Sequence, residues 1–187
     1  MQRVRGGSFL QQVCDEWNEY VEKGSIKDDY QYTNQHLTCL QELLGFLEND
    51  ITDELRFTVL KKIFFVSAAE EILDRDNPLP VMYFKICKSL SSGEILVLKT
   101  TYELTKEEAW KEMKTNSATD WLDMISKKAG LIYPELAELY EQELIGKNLI
   151  TPREHTDKSG VTKGEHFRLT NLAYNLCRYI EAYDSIK

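Results

Sequence analysis

The stretch Leu144-Ile145-Gly146-Lys147-Asn148-Leu149-Ile150-Thr151 marks a change in the spacing of apolar residues. Before it, apolar side chains recur every three or four residues, which is the helical period. After it, Leu149-Ile150-Thr151 reads as a strand, residues 156–164 are polar and contain two glycines, and His166-Phe167-Arg168-Leu169-Thr170 alternates as a second strand would. The sequence therefore predicts a helix that ends near Gly146 and a β-hairpin behind it.

Helices are predicted on both sides of this hairpin. Ser91-Ser92-Gly93-Glu94 and Thr105-Lys106-Glu107-Glu108 each have the spacing of a capping box, so each predicts a helix start, and a helical segment through Trp121 ends at Ala129-Gly130. Pro134 suits the first turn of the next helix, and Thr170 is placed to cap the last one. The buried face predicted for the helix after Pro134 consists of Leu136, Leu139, Tyr140 and Leu144.

The first 90 residues show helical periods throughout. A first helix reaches Gly24, Thr33 is placed to cap a second, and a third is predicted from near Thr52 to about Leu73. The centre of the third helix, residues 57–66, is apolar on nearly every side, which predicts a buried central helix. A proline-containing break and a short helix ending near Leu90 follow, so this half is predicted to be a helical bundle.

The order of three helices, a hairpin and a closing helix resembles the winged-helix branch of the helix-turn-helix proteins. Residues 144–150 look like the end of a recognition helix entering the first wing strand, and residues 168–173 look like the second wing strand entering the last helix. Many bacterial members have glycine where this chain has Ala173. The resemblance implies a mostly α protein: an N-terminal helical bundle over residues 1–90, followed by a winged-helix domain over residues 91–187 with one β-hairpin. The size and layout also look like those of small bacterial or phage-borne accessory proteins, including those of defence systems.

The helix that resembles a recognition helix is acidic. In winged-helix proteins the helix before the wing usually enters the major groove. Here that helix spans about residues 133–145 and contains no lysine or arginine. Its acidic residues, which would be repelled by phosphate, are Glu135, Glu138, Glu141 and Glu143. This pattern favours a non-enzymatic protein-interaction or regulatory module over a reader of DNA sequence.

The predicted wing carries a small positive excess. Between residues 147 and 168, five basic side chains stand against three acidic ones. The basic residues, which are the candidate nucleic-acid contacts, are Lys147, Arg153, Lys158, Lys163 and Arg168. The alternative function is thus a transcriptional regulator that contacts DNA through its wing, aided by Lys127 and Lys128.

The last helix carries more aromatic residues than one buried face needs. Tyr174, Tyr179 and Tyr183 accompany the apolar positions Leu172, Leu176 and Ile180, which leaves the helix apolar on more than one side. Such a helix often packs against another domain or subunit. These tyrosines are candidate interface residues, and both a homodimer and docking onto the N-terminal bundle remain open.

Composition excludes several classes of function. The net charge of −8 argues against general affinity for nucleic acid or anionic lipid, and no apolar run is long enough to span a membrane, so a cytoplasmic protein is expected. The four cysteines are far apart and predict buried free thiols, with no metal site. Neither a glycine-rich phosphate loop nor a nucleophile motif occurs, so no cofactor or catalytic residue is predicted.

Overall fold

The computed structural model describes residues 2–26, 29–49, 53–69, 78–107, 118–152 and 165–186. Over those residues the chain is mostly α-helical, as predicted. The α-helices are Gln2–Glu22 (α1), Asn34–Asn49 (α2), Glu54–Ala69 (α3), Leu79–Lys88 (α4), Ser92–Glu107 (α5), Ala118–Ala129 (α6), Pro134–Gly146 (α7) and Asn171–Glu181 (α8). Two short 3₁₀ helices cover Tyr30–Tyr32 and Ala182–Ser185.

The chain forms two compact units. Unit 1 comprises Met1–Leu90 together with Arg178–Lys187, and unit 2 comprises Ser91–Cys177. Residues 178–187 thus group with unit 1, although the helix pattern assigns them to the second domain. Helix α8 consequently contributes residues to both units.

The capping box at the start of α5 is confirmed. The backbone N–H of Ser91 donates to Oε2 of Glu94 at 2.7 Å, and the backbone N–H of Glu94 donates to Oγ of Ser91 at 3.3 Å. Two backbone donors that the helix itself leaves unsatisfied are satisfied in this way.

Two threonine caps are also confirmed. Oγ1 of Thr33 accepts the backbone N–H of His36 at 3.1 Å, and Oγ1 of Thr170 accepts that of Ala173 at 3.2 Å. Each hydroxyl lies three residues before its donor, which is the geometry of a helix N-cap.

One predicted helix start needs correction. Thr105 does not begin a helix: α5 continues to Glu107, and the Thr105 hydroxyl donates to the Tyr102 carbonyl at 2.6 Å inside the last turns. The third helix begins at Glu54 because Asp53 accepts the backbone N–H groups of the next turn. Its predicted end, about residue 73, lies outside the described residues.

Helix α3 is the buried centre of unit 1. Nine of its residues are buried, among them Leu60, Ile63 and Phe65 with no exposed surface. The Phe65 ring meets Tyr20 edge-on at 5.2 Å between ring centroids and lies 6.1 Å from Tyr183. A helix that is apolar all round is stable only when other elements cover it, so the prediction of a central helix is confirmed.

The cysteines are free thiols. Cys39, Cys87 and Cys177 are buried, as predicted, but Cys14 is exposed on α1. Burial raises the pKa of Cys39 to about 11, so this thiol stays protonated and unreactive at neutral pH.

His36 lies within the aromatic core of unit 1. The residue is 8% exposed, and its ring packs 5.2 Å from Trp17, 5.1 Å from Tyr30 and 5.5 Å from Phe64, measured between ring centroids. Burial lowers the pKa of His36 below its usual 6.5, because the core stabilises the neutral imidazole over the charged one.

We expect His36 to make unit 1 sensitive to acid. As the pH falls below about 6.5, the unfolded chain binds a proton at this residue before the folded chain does, so the free energy of unfolding falls by at most about 1.4 kcal/mol per pH unit. Urea titrations between pH 5 and pH 8 measure this slope. His36→Phe should flatten the curve; a curve that keeps its full slope in His36→Phe would contradict the assignment.

An antiparallel bridge joins two segments of unit 2. Ile150 pairs with Leu169, and the backbone N–H of Thr151 donates to the Arg168 carbonyl at 2.8 Å. Within the described residues this is an isolated bridge rather than a pair of strands, so the predicted hairpin is not shown. The predicted hairpin loop, residues 153–164, lies outside the described residues.

Candidate interaction surface

Helix α7 divides into a buried face and an outward face. Pro134 occupies its first turn, as predicted, and the backbone N–H of Lys147 closes its last turn. Ala137, Glu141 and Leu144 are buried. The outward face, which we call the α7 face, consists of Glu135, Leu139, Gln142, Glu143 and Gly146, all of them exposed.

Two predictions for this helix are wrong, and both follow from one error in the predicted orientation of the helix. Leu139 is 50% exposed, although its spacing places it in the core, and Glu141 is fully buried, although the sequence places it in the solvent with the other glutamates. Residues at positions i and i+2 of a helix point in opposite directions, so turning the helix to bury Glu141 exposes Leu139.

Arg168 is the reason that Glu141 can be buried. Both side chains are inaccessible to solvent, and Nη1 of Arg168 donates to Oε1 of Glu141. Nη2 of Arg168 donates to the Thr151 carbonyl at 2.6 Å, and the guanidinium lies 4.3 Å from the centre of the Trp121 ring. A carboxylate enters a core only when it is paired and hydrogen-bonded.

Arg168 therefore does not reach solvent as a nucleic-acid contact would. Its expected role is replaced by a structural one, in which it ties the bridge to α6 and α7. No local signal in the sequence pairs Arg168 with a glutamate on another element.

Lys147 is engaged within unit 2. Its Nζ atom pairs with Glu94 and lies 3.8 Å from Oε2 of Glu143. Burial alone would raise the pKa of Glu94, but hydrogen bonds from Lys147 and from the backbone and side chain of Ser91 together lower it below 4.5. Glu94 is thus ionised at neutral pH and holds Lys147 beside the start of α5. The remaining predicted contacts, Arg153, Lys158 and Lys163, lie outside the described residues.

Exposed apolar side chains accompany the α7 face. Ile132 is 84% exposed and Tyr133 is 63% exposed in the turn between α6 and α7, and Leu139 follows on the helix. Tyr133 immediately precedes the helix, and Leu139 is the sixth helical residue. Single exposed apolar residues are ordinary, but three within eight residues, bordered by Glu135 and Glu143, form a candidate contact surface.

The predicted interface tyrosines take different positions. Tyr174, in unit 2, stacks on His166 with 3.7 Å between ring centroids and lies 5.6 Å from Tyr102. Tyr179 and Tyr183 belong to unit 1, where Tyr179 packs 5.2 Å from Tyr83 of α4.

Tyr183 is a core residue of unit 1. It is 3% exposed, its hydroxyl donates to Oε2 of Glu16 at 2.7 Å, and it accepts from the Tyr20 hydroxyl at 3.2 Å. Of the two alternatives left open for Tyr179 and Tyr183, packing against the helices of the N-terminal region is the one that the structure shows. The homodimer stays a prediction.

An open cleft of about 370 Å³ lies beside Tyr183 on unit 1. Glu16 in its wall accepts from Lys61 as well as from Tyr183, and Lys62 lies 3.3 Å from Asp184. Burial and the contacts with Tyr20 and Glu16 raise the pKa of Tyr183, so its hydroxyl stays protonated as a donor. These interactions fasten the C-terminal residues to α1 and α3.

Nowhere in the described ranges do three or more His, Cys, Asp or Glu side chains converge as metal ligands would. Among the described helices, none is both long enough and apolar enough to cross a bilayer. Comparison of the chain with protein families, curated proteins and solved structures finds no match.

Proposed function

We propose that this chain is a non-enzymatic interaction or regulatory module, and that unit 2 is a winged-helix-like domain that binds a protein through its α7 face. The order of α5, α6, α7, the bridge and α8 supports the winged-helix arrangement. In that arrangement α7 stands where a DNA-binding relative has its recognition helix.

The observation that carries the proposal is the composition of the α7 face. A helix that reads bases presents arginine, lysine, asparagine or glutamine to the groove and is surrounded by phosphates. The α7 face presents Glu135, Leu139, Gln142 and Glu143, and α7 contains no basic side chain. Carboxylates close to phosphate would oppose binding, whereas an exposed leucine within an acidic border suits a protein partner.

A second candidate function is DNA binding through the wing. The sequence places Arg153, Lys158 and Lys163 in the predicted wing, and Lys127 is exposed in the last turn of α6. Phosphate contacts from such residues would give affinity that falls steeply with salt.

Filter binding to duplex DNA separates the two functions. At about 50 mM salt we expect no saturable binding by the wild-type chain, and we expect the double variant Lys158→Ala with Lys163→Ala to behave in the same way. A wing-led regulator would instead bind, would lose affinity in the double variant, and would show a salt slope reduced by about 2 after removal of two phosphate contacts. That result would overturn the proposed function.

A further inference from the structure

We infer that the occupant of the α7 face is a basic amphipathic segment of another protein, with apolar anchors flanked by lysine or arginine. The inference rests on the proposed function and names the chemistry of the partner. It is carried by the exposure of Leu139 between the exposed Glu135 and Glu143 on α7, with Ile132 and Tyr133 also exposed in the turn just before the helix.

The apolar side chains set the pattern of anchors. Interface energy is concentrated in a few side chains that become fully desolvated, and aromatic residues are prominent among them. Leu139 lies on α7 and Tyr133 immediately before its first residue, so the two side chains offer two separate anchor positions to a partner. Ile132, with 84% of its surface exposed, adds a further exposed apolar side chain in the α6–α7 turn.

The charges on α7 favour a positively charged partner. Glu135 and Glu143 are both exposed and lie on either side of Leu139 along α7. Lys147 is paired with Glu94 and also lies 3.8 Å from Glu143, so it offsets part of the charge of Glu143 and leaves a net negative charge along this face. Basic side chains around the partner's apolar anchors would form ion pairs with these carboxylates. The net charge of −8 would also speed the association of a basic partner.

The same charges argue against a second copy of this chain. A twofold interface places the same surface on both subunits. Two α7 faces in contact would set Glu135 and Glu143 of one copy against the same carboxylates of the other, and opposed like charges are costly.

The probe is a fluorescent helical peptide of about five turns, with leucine on one face and lysine on the other. Two further peptides accompany it: one with glutamate in place of lysine, and one with the same composition as the first but no apolar face. Fluorescence anisotropy with the full-length chain gives the dissociation constants at several salt concentrations. We expect the amphipathic lysine peptide to bind at least about tenfold more tightly than either of the others.

Matched variants locate the binding. Leu139→Ser should weaken binding at least about tenfold, whereas Leu37→Ser, at a leucine that is 49% exposed on α2, should change it by less than about twofold. The double variant Glu135→Lys with Glu143→Lys should likewise weaken binding at least about tenfold. Glu22→Lys with Glu48→Lys, at exposed positions on α1 and α2, makes the same change in net charge and should have a much smaller effect.

The outcomes are distinguishable. Equal weakening by both pairs of charge variants, with no effect of Leu139→Ser, would mean attraction to overall charge and would overturn the inference. Binding of the glutamate peptide that depends on Leu139 would support docking through the α7 face, and with it the proposed function. It would overturn the inference that the partner is basic. Sedimentation that shows a dimer abolished by Leu139→Ser would make a second copy the occupant and would also overturn it.

Discussion

Replacement of Glu141 by alanine is expected to lower the free energy of unfolding of unit 2 by about 3–5 kcal/mol. The substitution leaves the Arg168 guanidinium charged, buried and without its carboxylate, and an arginine cannot shed its charge. The hydrogen bond to the Thr151 carbonyl and the Trp121 ring remain, but neither neutralises a full positive charge.

Urea denaturation followed by tryptophan fluorescence measures this effect. In a background with Trp17→Phe and Trp110→Phe, the remaining Trp121 reports on unit 2, since its ring lies 4.3 Å from the guanidinium. Glu135→Ala, on the exposed side of the same helix, serves as the control and should stay within about 0.5 kcal/mol of wild type. Equal stability of the two variants would contradict the buried ion pair.

A double substitution separates the net contribution of the pair from the cost of breaking it. Glu141→Leu combined with Arg168→Met removes both charges and keeps apolar volume, so it should recover most of the stability lost in Glu141→Ala. If the double variant is less stable than the single one, the side chains contribute through contacts other than their charges.

The second large effect is expected at Phe65. Phe65→Ala removes a ring with no exposed surface from α3 and leaves a cavity against Tyr20 and Tyr183, which should cost about 3–5 kcal/mol. Thermal unfolding monitored by far-UV circular dichroism tests this. Tyr32→Ala, at an aromatic residue that is 80% exposed, is the matched control and should change stability by less than about 0.5 kcal/mol. Similar melting of the two variants would show that α3 is not the core of unit 1.

Local features of the fold could be predicted from the sequence. The caps at Thr33, Ser91 and Thr170 were predictable because each hydroxyl and its N–H partner lie three residues apart. The same pattern at Thr105 failed because Tyr102 and Leu104 are buried and packing carries α5 past the capping sequence. A cap stabilises a helix start, but its contribution of about 1 kcal/mol does not outweigh burial of such residues.

The candidate site depends on an interaction that apolar spacing does not encode. Leu136, Leu139 and Leu144 predict one orientation of α7, and any such prediction keeps a glutamate in solvent. Arg168, 27 residues away in sequence, pairs with Glu141 and so offsets the free-energy cost of burying its carboxylate. The helix then takes the orientation that buries Glu141 and exposes Leu139. The exposed Leu139, on which the proposed function depends, follows from that long-range pair.

Hydrogen–deuterium exchange with and without the amphipathic lysine peptide tests the proposed docking most directly. Binding to the α7 face predicts slower exchange concentrated in residues 132–146, with α2 as an unaffected internal reference. The protection should disappear in Leu139→Ser. Protection confined to residues 153–164, or spread equally over both units, would contradict docking through the α7 face.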